Sequence, residues 1–384
     1  MVTWLFLSPQ GFRGIYSRET INQTWRGYKK FFIAENSRTL RPKDGDTVSE
    51  GQSYAMLRAV LAGDKKTFDE CYYWSESNLS RLRKHGDNLL AWRWKSGEVV
   101  DWMPASDADI DYALSLIIAQ ARWPQGPQAN VENYGRKASM VLNDILEKET
   151  YSLADGRLYL SPWILEKNIN TKLFPVNPSY YSPAHFRKFY EYTGDKRWLE
   201  LVDTAYDVLF ALLNEFNGKK GKGLIPDWCG VDKDGIFYSL EGKSSDFGWE
   251  AVRIPFRVGL DYIWYGSREA KKFFNSRFSE FIKQEWLESQ KLFCEYNYQG
   301  IPIKRYESPL FYAAYYWTLD IHGFPQAQEL LEKTREYIKQ YPEGWVYQNK
   351  NEYYANSLSW LGEALKSGLL KNSYTKNKLH AEKE

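Results

Sequence analysis

Four histidines, three cysteines and almost no net charge set the first limits on this chain of 384 residues. It has no HExxH run and no paired-Cys spacing, so neither a catalytic metal nor any other cofactor is expected. Cys71, Cys229 and Cys294 are odd in number and far apart, which excludes a disulfide framework and suggests buried apolar thiols. The balance of 51 basic and 49 acidic side chains, net +2, argues against a nucleic-acid partner. No glycine-rich phosphate loop stands out. The N-terminal MVTWLFLSPQGF is apolar but has no basic flank. It is too short to cross a membrane and incomplete as a signal peptide, so it reads as a trimmed export signal or as an element packed on the domain. No later apolar run exceeds the length of a core helix, and a soluble protein without a membrane span is expected.

Aromatic residues are plentiful. Trp 16, Tyr 29 and Phe 20 make up 17% of the chain. Some must fill the core, where rings pack well between helices. Others are available as flat faces in a groove.

Two stretches organise the rest. Thr47 to Ala62, TVSEGQSYAMLRAVLA, places Tyr54, Leu57 and Leu61 on one helical face. Ala105 to Ala121, ASDADIDYALSLIIAQA, does the same with Ile110, Ala113, Leu114, Ile117 and Ala121. Both put carboxylates near a helix N-terminus. Thr47-x-x-Glu50 and Ser106-x-x-Asp109 fit capping boxes, in which the acid satisfies an orphan backbone N–H. Gly51 weakens that reading, because glycine is a poor residue to begin a helix and a useful one where something must come close. Asp107, Asp109 and Asp111 also repel one another more than capping requires.

Helical patterns continue over Ile21–Phe32, Thr67–Leu82, Asn130–Glu149, Pro183–Tyr192, Asp195–Asn214, Ser245–Ile263, Ser267–Leu287, Ser308–Asp320, Phe324–Gln340 and Tyr353–Lys366. The Trp-rich stretch Leu90–Pro104 reads as a hairpin or loop. About twelve helices in pairs, with few strands, fit an all-α toroid of six hairpins or an open helical solenoid. No composition break marks a linker, so residues 1–370 read as one domain. Residues 371–384 read as a disordered tail.

SEGQSYAMLRAVLAGDKKTFD and ASDADIDYALSLIIAQARW resemble the two acid-bearing signatures of glycoside hydrolase family 8. The likeness continues in NPSYYSPAHFRKF, GLIPDW, FGWEAVRIPFRVGLDY and EYYANSLSWLGEAL, six blocks in the family's order over most of the chain. It implies a closed (α/α)6 barrel and an inverting glycosidase, whose two carboxyl groups stand about 6.5–9.5 Å apart with a water between them. Glu50 falls at the family's general acid. Asp107 falls where the family holds the distorted sugar, and would keep Glu50 protonated by repulsion. At the base many members carry Asp in a Tyr-Asp-Ala-x-Arg run, whereas this chain has Trp249-Glu250-Ala251-Val252-Arg253. Glu250 is competent but longer by one carbon–carbon bond, about 1.5 Å. Glu250 is the expected base and Asp246 the second candidate; the bland alternative for Glu250 is a helix-face partner of Arg253 or Arg257.

Trp92, Trp94, Trp102, Tyr180, Tyr181, Trp249, Tyr353 and Tyr354 are candidate sugar platforms. Tyr180, Trp249 and Tyr354 lie in matched blocks, where Asn177 and Arg253 would supply hydrogen bonds. The resemblance implies a monomeric, secreted or periplasmic endo-enzyme for a β-1,4-linked polysaccharide, with cellulose-like glucan ahead of xylan, chitosan or mixed-linkage glucan. A glycan-binding protein with little turnover on the same scaffold is the alternative from another class.

Overall fold

The computed structural model describes residues 9–127, 131–165, 172–370 and 372. The first eight residues of the apolar N-terminal patch, and residues 371 and 373–384 of the expected tail, lie outside that range. In chain order the helices are α1 (Pro9–Phe32), α2 (Ser49–Ala62), α3 (Lys65–Asn78), α4 (Leu82–His85), α5 (Ser106–Arg122), α6 (Tyr134–Lys148), α7 (Pro183–Thr193) and α8 (Arg197–Asn214). They continue as α9 (Ile254–Tyr265), α10 (Arg268–Phe274), α11 (Arg277–Ser289), α12 (Pro309–His322), α13 (Ala327–Glu336), α14 (Tyr353–Leu358) and α15 (Trp360–Ser367).

An inner ring runs α2, α5, α7, α9, α12 and α14–α15, each beside the next, and α14 returns to α2. Outside it α3 packs on α2, α6 on α5, α8 on α7, α10 on α9, α13 on α12 and α1 on α15. The sixth hairpin thus joins the start of the chain to its end. That closes an (α/α)6 barrel where local periodicity allowed an open solenoid.

The two rings differ in burial for a physical reason. A helix surrounded by other helices must be apolar or satisfied on every side. In α5 every residue from Ser106 to Ala119 is buried, and in α12 every residue from Pro309 to Leu319. An outer helix needs one face only: α6 buries Ala138, Val141, Leu142 and Ile145 and exposes Met140. Cys71, Cys229 and Cys294 are buried and unpaired, as expected of apolar thiols.

Several helix boundaries differ from the sequence expectation. The Ser245–Ile263 run becomes helical only at Ile254, after a 3-10 turn over Ala251–Arg253. Pro255 accounts for this, since its ring is accepted only in a first turn. The Asn130–Glu149 pattern starts at Tyr134 because the Asn133 side chain accepts from the N–H groups of Gly135 and Arg136. Phe324–Gln340 splits into α13 and a strand, Ile338–Tyr341, that pairs antiparallel with Gly344–Tyr347.

Strands are also more numerous than expected, in five small sheets among the described residues. Two of them matter for the site. Asp46–Val48 pairs with Arg93–Lys95, which turns through Ser96–Gly97 into Glu98–Asp101, bearing out the hairpin alternative for that stretch. Phe174–Val176 pairs with Cys229–Val231, Val176 opposite Cys229, and so sets Asn177 beside the Asp227–Trp228 segment.

Candidate active site

Neither capping box forms. The helix α2 is preceded by Val48 with no side-chain cap, and the Ser49 N–H instead donates to the Trp92 carbonyl at 2.9 Å. At α5 the Ser106 N–H donates to the Pro162 carbonyl at 3.2 Å, and Asp109 Oδ1 accepts from the Leu90 N–H at 2.9 Å. Carbonyls distant in the chain satisfy these helix starts. Glu50 and Asp107 are therefore left to point inward.

They meet at Arg253, which lies just before α9 and is 2% exposed. Its Nη1 donates to Asp107 Oδ2 at 2.7 Å and to Glu50 Oε2 at 3.1 Å, and its Nη2 donates to Glu250 Oε2. Nε donates to Ser179 Oγ at 3.1 Å, and the guanidinium lies 5.1 Å from the Tyr180 ring centre. Glu50 Oε1 accepts from the Tyr353 hydroxyl at 3.1 Å. The Asn177 amide donates to Glu250 Oε2 at 3.0 Å, while Asn177 Oδ1 accepts from both the backbone and the hydroxyl of Ser179. Four inner-ring positions, at the starts of α2, α5, α9 and α14, thus converge at one end of the barrel.

One cation among three carboxylates leaves unbalanced negative charge in a poorly solvated place. Burial, aided by the charges of Asp107 and Glu250 and opposed by Arg253, pushes Glu50 up to about 7. Asp107 is also raised, by burial first, against the pull of Arg253. The side chains of Glu50 and Glu250 keep 23% and 32% of their surface open, whereas that of Asp107 keeps 3%. Two carboxyl groups therefore face the cleft and a third is sealed beneath them. Glu50 is open at one side only, so dense protein around it still disfavours its charge.

Gly51 is explained by the same geometry. A Cβ at this position would come 2.7 Å from the Tyr353 hydroxyl and 2.8 Å from Thr39 Oγ1. Tyr353 can bond Glu50 only because residue 51 has no side chain. Gly51→Ala is expected to lower turnover by about 10-fold, the usual worth of a hydrogen bond that aims a reacting group, with little change in melting temperature. Unchanged kinetics would show that the Tyr353 contact is idle.

The cleft over Glu50 and Glu250 is a cavity of about 310 Å³, with Trp249, Tyr353 and Tyr354 on its wall and the Arg41–Asp44 loop at its edge. Trp249 stacks on Tyr306 at 6.1 Å and lies 6.2 Å from Tyr354; its indole N–H donates to the Tyr306 hydroxyl at 2.7 Å. Beyond Arg253, Tyr180 is 5.7 Å from Trp228, which is 5.9 Å from Trp163. Aromatic faces thus lie on both sides of the carboxylates. A separate apolar cavity under Arg253 contains Asp111, bound to Arg257 and His185, and none of the three acids that meet above.

Comparison with known proteins gives the family and the fold. The family model described as "Glycosyl hydrolases family 8" matches residues 15–296. The chain belongs to glycosyl hydrolase family 8. Endoglucanase A of Acetivibrio thermocellus is 31% identical over 235 residues, 59% of this chain and 44% of that protein. The chain spans about half the length of such curated relatives, with 48% covered in Endoglucanase 2 of Ruminiclostridium josui. The solved β-1,3-1,4-glucanase of Paenibacillus sp. X4 superposes with a TM-score of 0.77 at 22% identity, over 96% of this chain and 94% of that one. At that identity the likeness speaks for the fold.

Of the family 8 motif residues, Glu50, Asp107, Asn177, Tyr180, Glu250 and Arg253 share one hydrogen-bonded or stacked cluster, with Trp249 and Tyr354 beside it. Asp246 stands apart: burial and the charge of Glu295 raise its carboxyl, and Glu295 itself accepts from Trp249 and Tyr306. Trp92 holds the start of α2 through its carbonyl. Trp94 packs on Trp74 and Arg38. Trp102 lies against His85 and Lys84, and no contact among the described residues joins it to the carboxylates. Tyr181 is buried, with its hydroxyl accepting from the Leu160 N–H, while its neighbour Tyr180 faces Arg253. Tyr180 ends the 3-10 turn Pro178–Tyr180 and Tyr181 begins the extended segment after it, so the two rings leave the backbone in different directions. Sequence reasoning did not single out Asp227, Trp228 or Trp163. The first two were in plain view within the matched GLIPDW block.

Proposed function

We propose that this chain is an inverting endo-glycosidase acting on β-1,4-linked polysaccharide, with cellulose-like glucan as first substrate. The observation that carries the reading is the Arg253-centred trio, in which the half-buried Glu50 is raised to about 7 beside the half-buried Glu250, both open to the cleft, and above the sealed Asp107. Glu50 gives its proton to the glycosidic oxygen as the bond to the anomeric carbon breaks. Glu250, held by Arg253 and oriented by Asn177, takes a proton from the water that attacks the opposite face. Asp107 favours the proton on Glu50 by repulsion; sealed beneath the cleft, it acts on the sugar only through Glu50 and Arg253, not by the direct hold that the resemblance implied.

Aromatic surface on both sides of the carboxylates supports cutting within a chain, as does the endoglucanase name of the relatives. The packing of α1 on α15 supports one catalytic domain over residues 1–370. No helix among the described residues is long and apolar enough to cross a membrane. We read the protein as a monomer that meets its polymeric substrate outside the cytoplasm, secreted or periplasmic.

The test is reducing-sugar release from soluble cellulose, xylan, chitosan and mixed-linkage glucan, with NMR of the first product. Release is expected, greatest on a glucan, with the α-anomer appearing first. An initial β-anomer means retention and removes the water-activating base. Binding without release on all four favours the glycan-binding alternative.

A further inference from the structure

Glu250 is held from two directions. Its carboxylate is held by Arg253 and Asn177. Its backbone is held by Asp227, whose Oδ1 accepts the N–H of Glu250 at 3.0 Å and that of Ala251 at 2.8 Å. Asp227 belongs to the loop before the Cys229–Val231 strand, and that loop is zipped to the one carrying Glu250. The Asp227 N–H donates to the Asp246 carbonyl at 2.7 Å, and the Trp228 N–H to the Ser244 carbonyl at 3.0 Å. The other carboxyl oxygen faces Gly248, where a Cβ would come within 2.8 Å of it. The backbone therefore passes over Asp227 at a distance that only glycine permits.

We infer that Asp227 is the positioning residue of the base, fixing through the Glu250 backbone the point at which the Glu250 carboxylate meets the attacking water. The inference rests on the function proposed above. Asp227 is 7% exposed and pairs with no cation among the described residues. Burial, with the Glu250 charge, pushes it up to about 7. An ion-pair purpose is thus absent, and the two backbone N–H groups are what it serves. The need is plain from chain length: a glutamate in place of the family's aspartate reaches about 1.5 Å further, so its backbone must be held correspondingly back. A misplacement of about 1 Å in a reacting group is enough to lose about 100-fold in rate.

The experiment compares D227A, D227N and E250A with the wild type, measuring kcat, KM and melting temperature with and without sodium azide. For D227A, kcat is expected to fall about 30- to 100-fold with KM within about 3-fold. D227N keeps a carbonyl oxygen to accept the N–H groups and is expected to lose only about 3-fold. Azide is an anionic nucleophile that needs no base. It forms a C–N bond at the anomeric carbon while Glu50 protonates the departing oxygen, yielding an α-glycosyl azide. It is expected to restore D227A and E250A by about 10-fold or more and to leave the wild type unchanged. If D227A does not fold, Gly248→Ala, which displaces the carboxylate, is expected to show the same loss and the same azide recovery. An active wild type with D227A at full rate, or a loss that azide does not restore, overturns this inference alone. A wild type inert on every glycan overturns the proposed function and this inference with it.

Discussion

Glu50→Gln is expected to keep the barrel and its glycan affinity while losing about 10²–10⁴-fold in turnover, the range that general acid catalysis contributes. Gln is isosteric: its carbonyl oxygen can accept from Arg253 while its amide N–H donates to the Tyr353 hydroxyl, so both contacts at 3.1 Å are kept with one reversed. What disappears is the proton. In the wild type, activity should fall as pH rises through about 7, where Glu50 gives that proton up. Stability should follow the same window. The folded carboxyl titrates above the unfolded one, so between about 4.5 and about 7 the folded state retains a proton that the unfolded state has lost. The wild type therefore loses stability as pH rises through that range, and the variant loses less. Melting curves at pH 5 and pH 8 would read this directly. Turnover of E50Q within about tenfold of the wild type would remove Glu50 as the acid.

The second large effect belongs to Glu250. Glu250→Gln is expected to abolish measurable turnover, at least about 10²-fold down, whereas Asp246→Asn should stay within about tenfold of the wild type. Geometry decides between them. Glu250 shares Arg253 with Glu50 and Asp107 and has its backbone tied to Asp227. Asp246 is tied in only through its carbonyl, which accepts from the Asp227 N–H, and its carboxyl is beside Glu295 on the Trp249 wall. Steady-state assays of the two variants on the best glycan settle the matter. A dead D246N with a live E250Q would move the base to the loop.

Most of the helical plan was legible in the sequence because apolar spacing along a helix is local information. Glu50 and Asp107 could be placed at helix starts for the same reason, and the matched blocks located the departure at Glu250. The short strands were not legible: three residues such as Asp46–Val48 are too few to show a period of two. The split of α10 from α11 and of α14 from α15 was equally hidden, since one apolar face runs through both halves of each pair.

Whether the acids cap their helices or face a cleft depended on distant partners: the Pro162 carbonyl takes the Ser106 N–H that Asp109 would have taken, and Thr47 lies in a strand paired with Trp94, its hydroxyl donating to the Thr39 carbonyl. Spacing within a helix cannot register that competition. Arg253 lies 203 residues from Glu50 and 146 from Asp107, so their shared charge balance exists only once the ring has closed. The same holds for Gly51 with Tyr353 and for Asp227 with Glu250. The sequence alone determined which side chains were available and at which helix starts. The tertiary structure decided which of them share one cation and which remain open to the cleft, because burial and charge pairing are properties of neighbours in space.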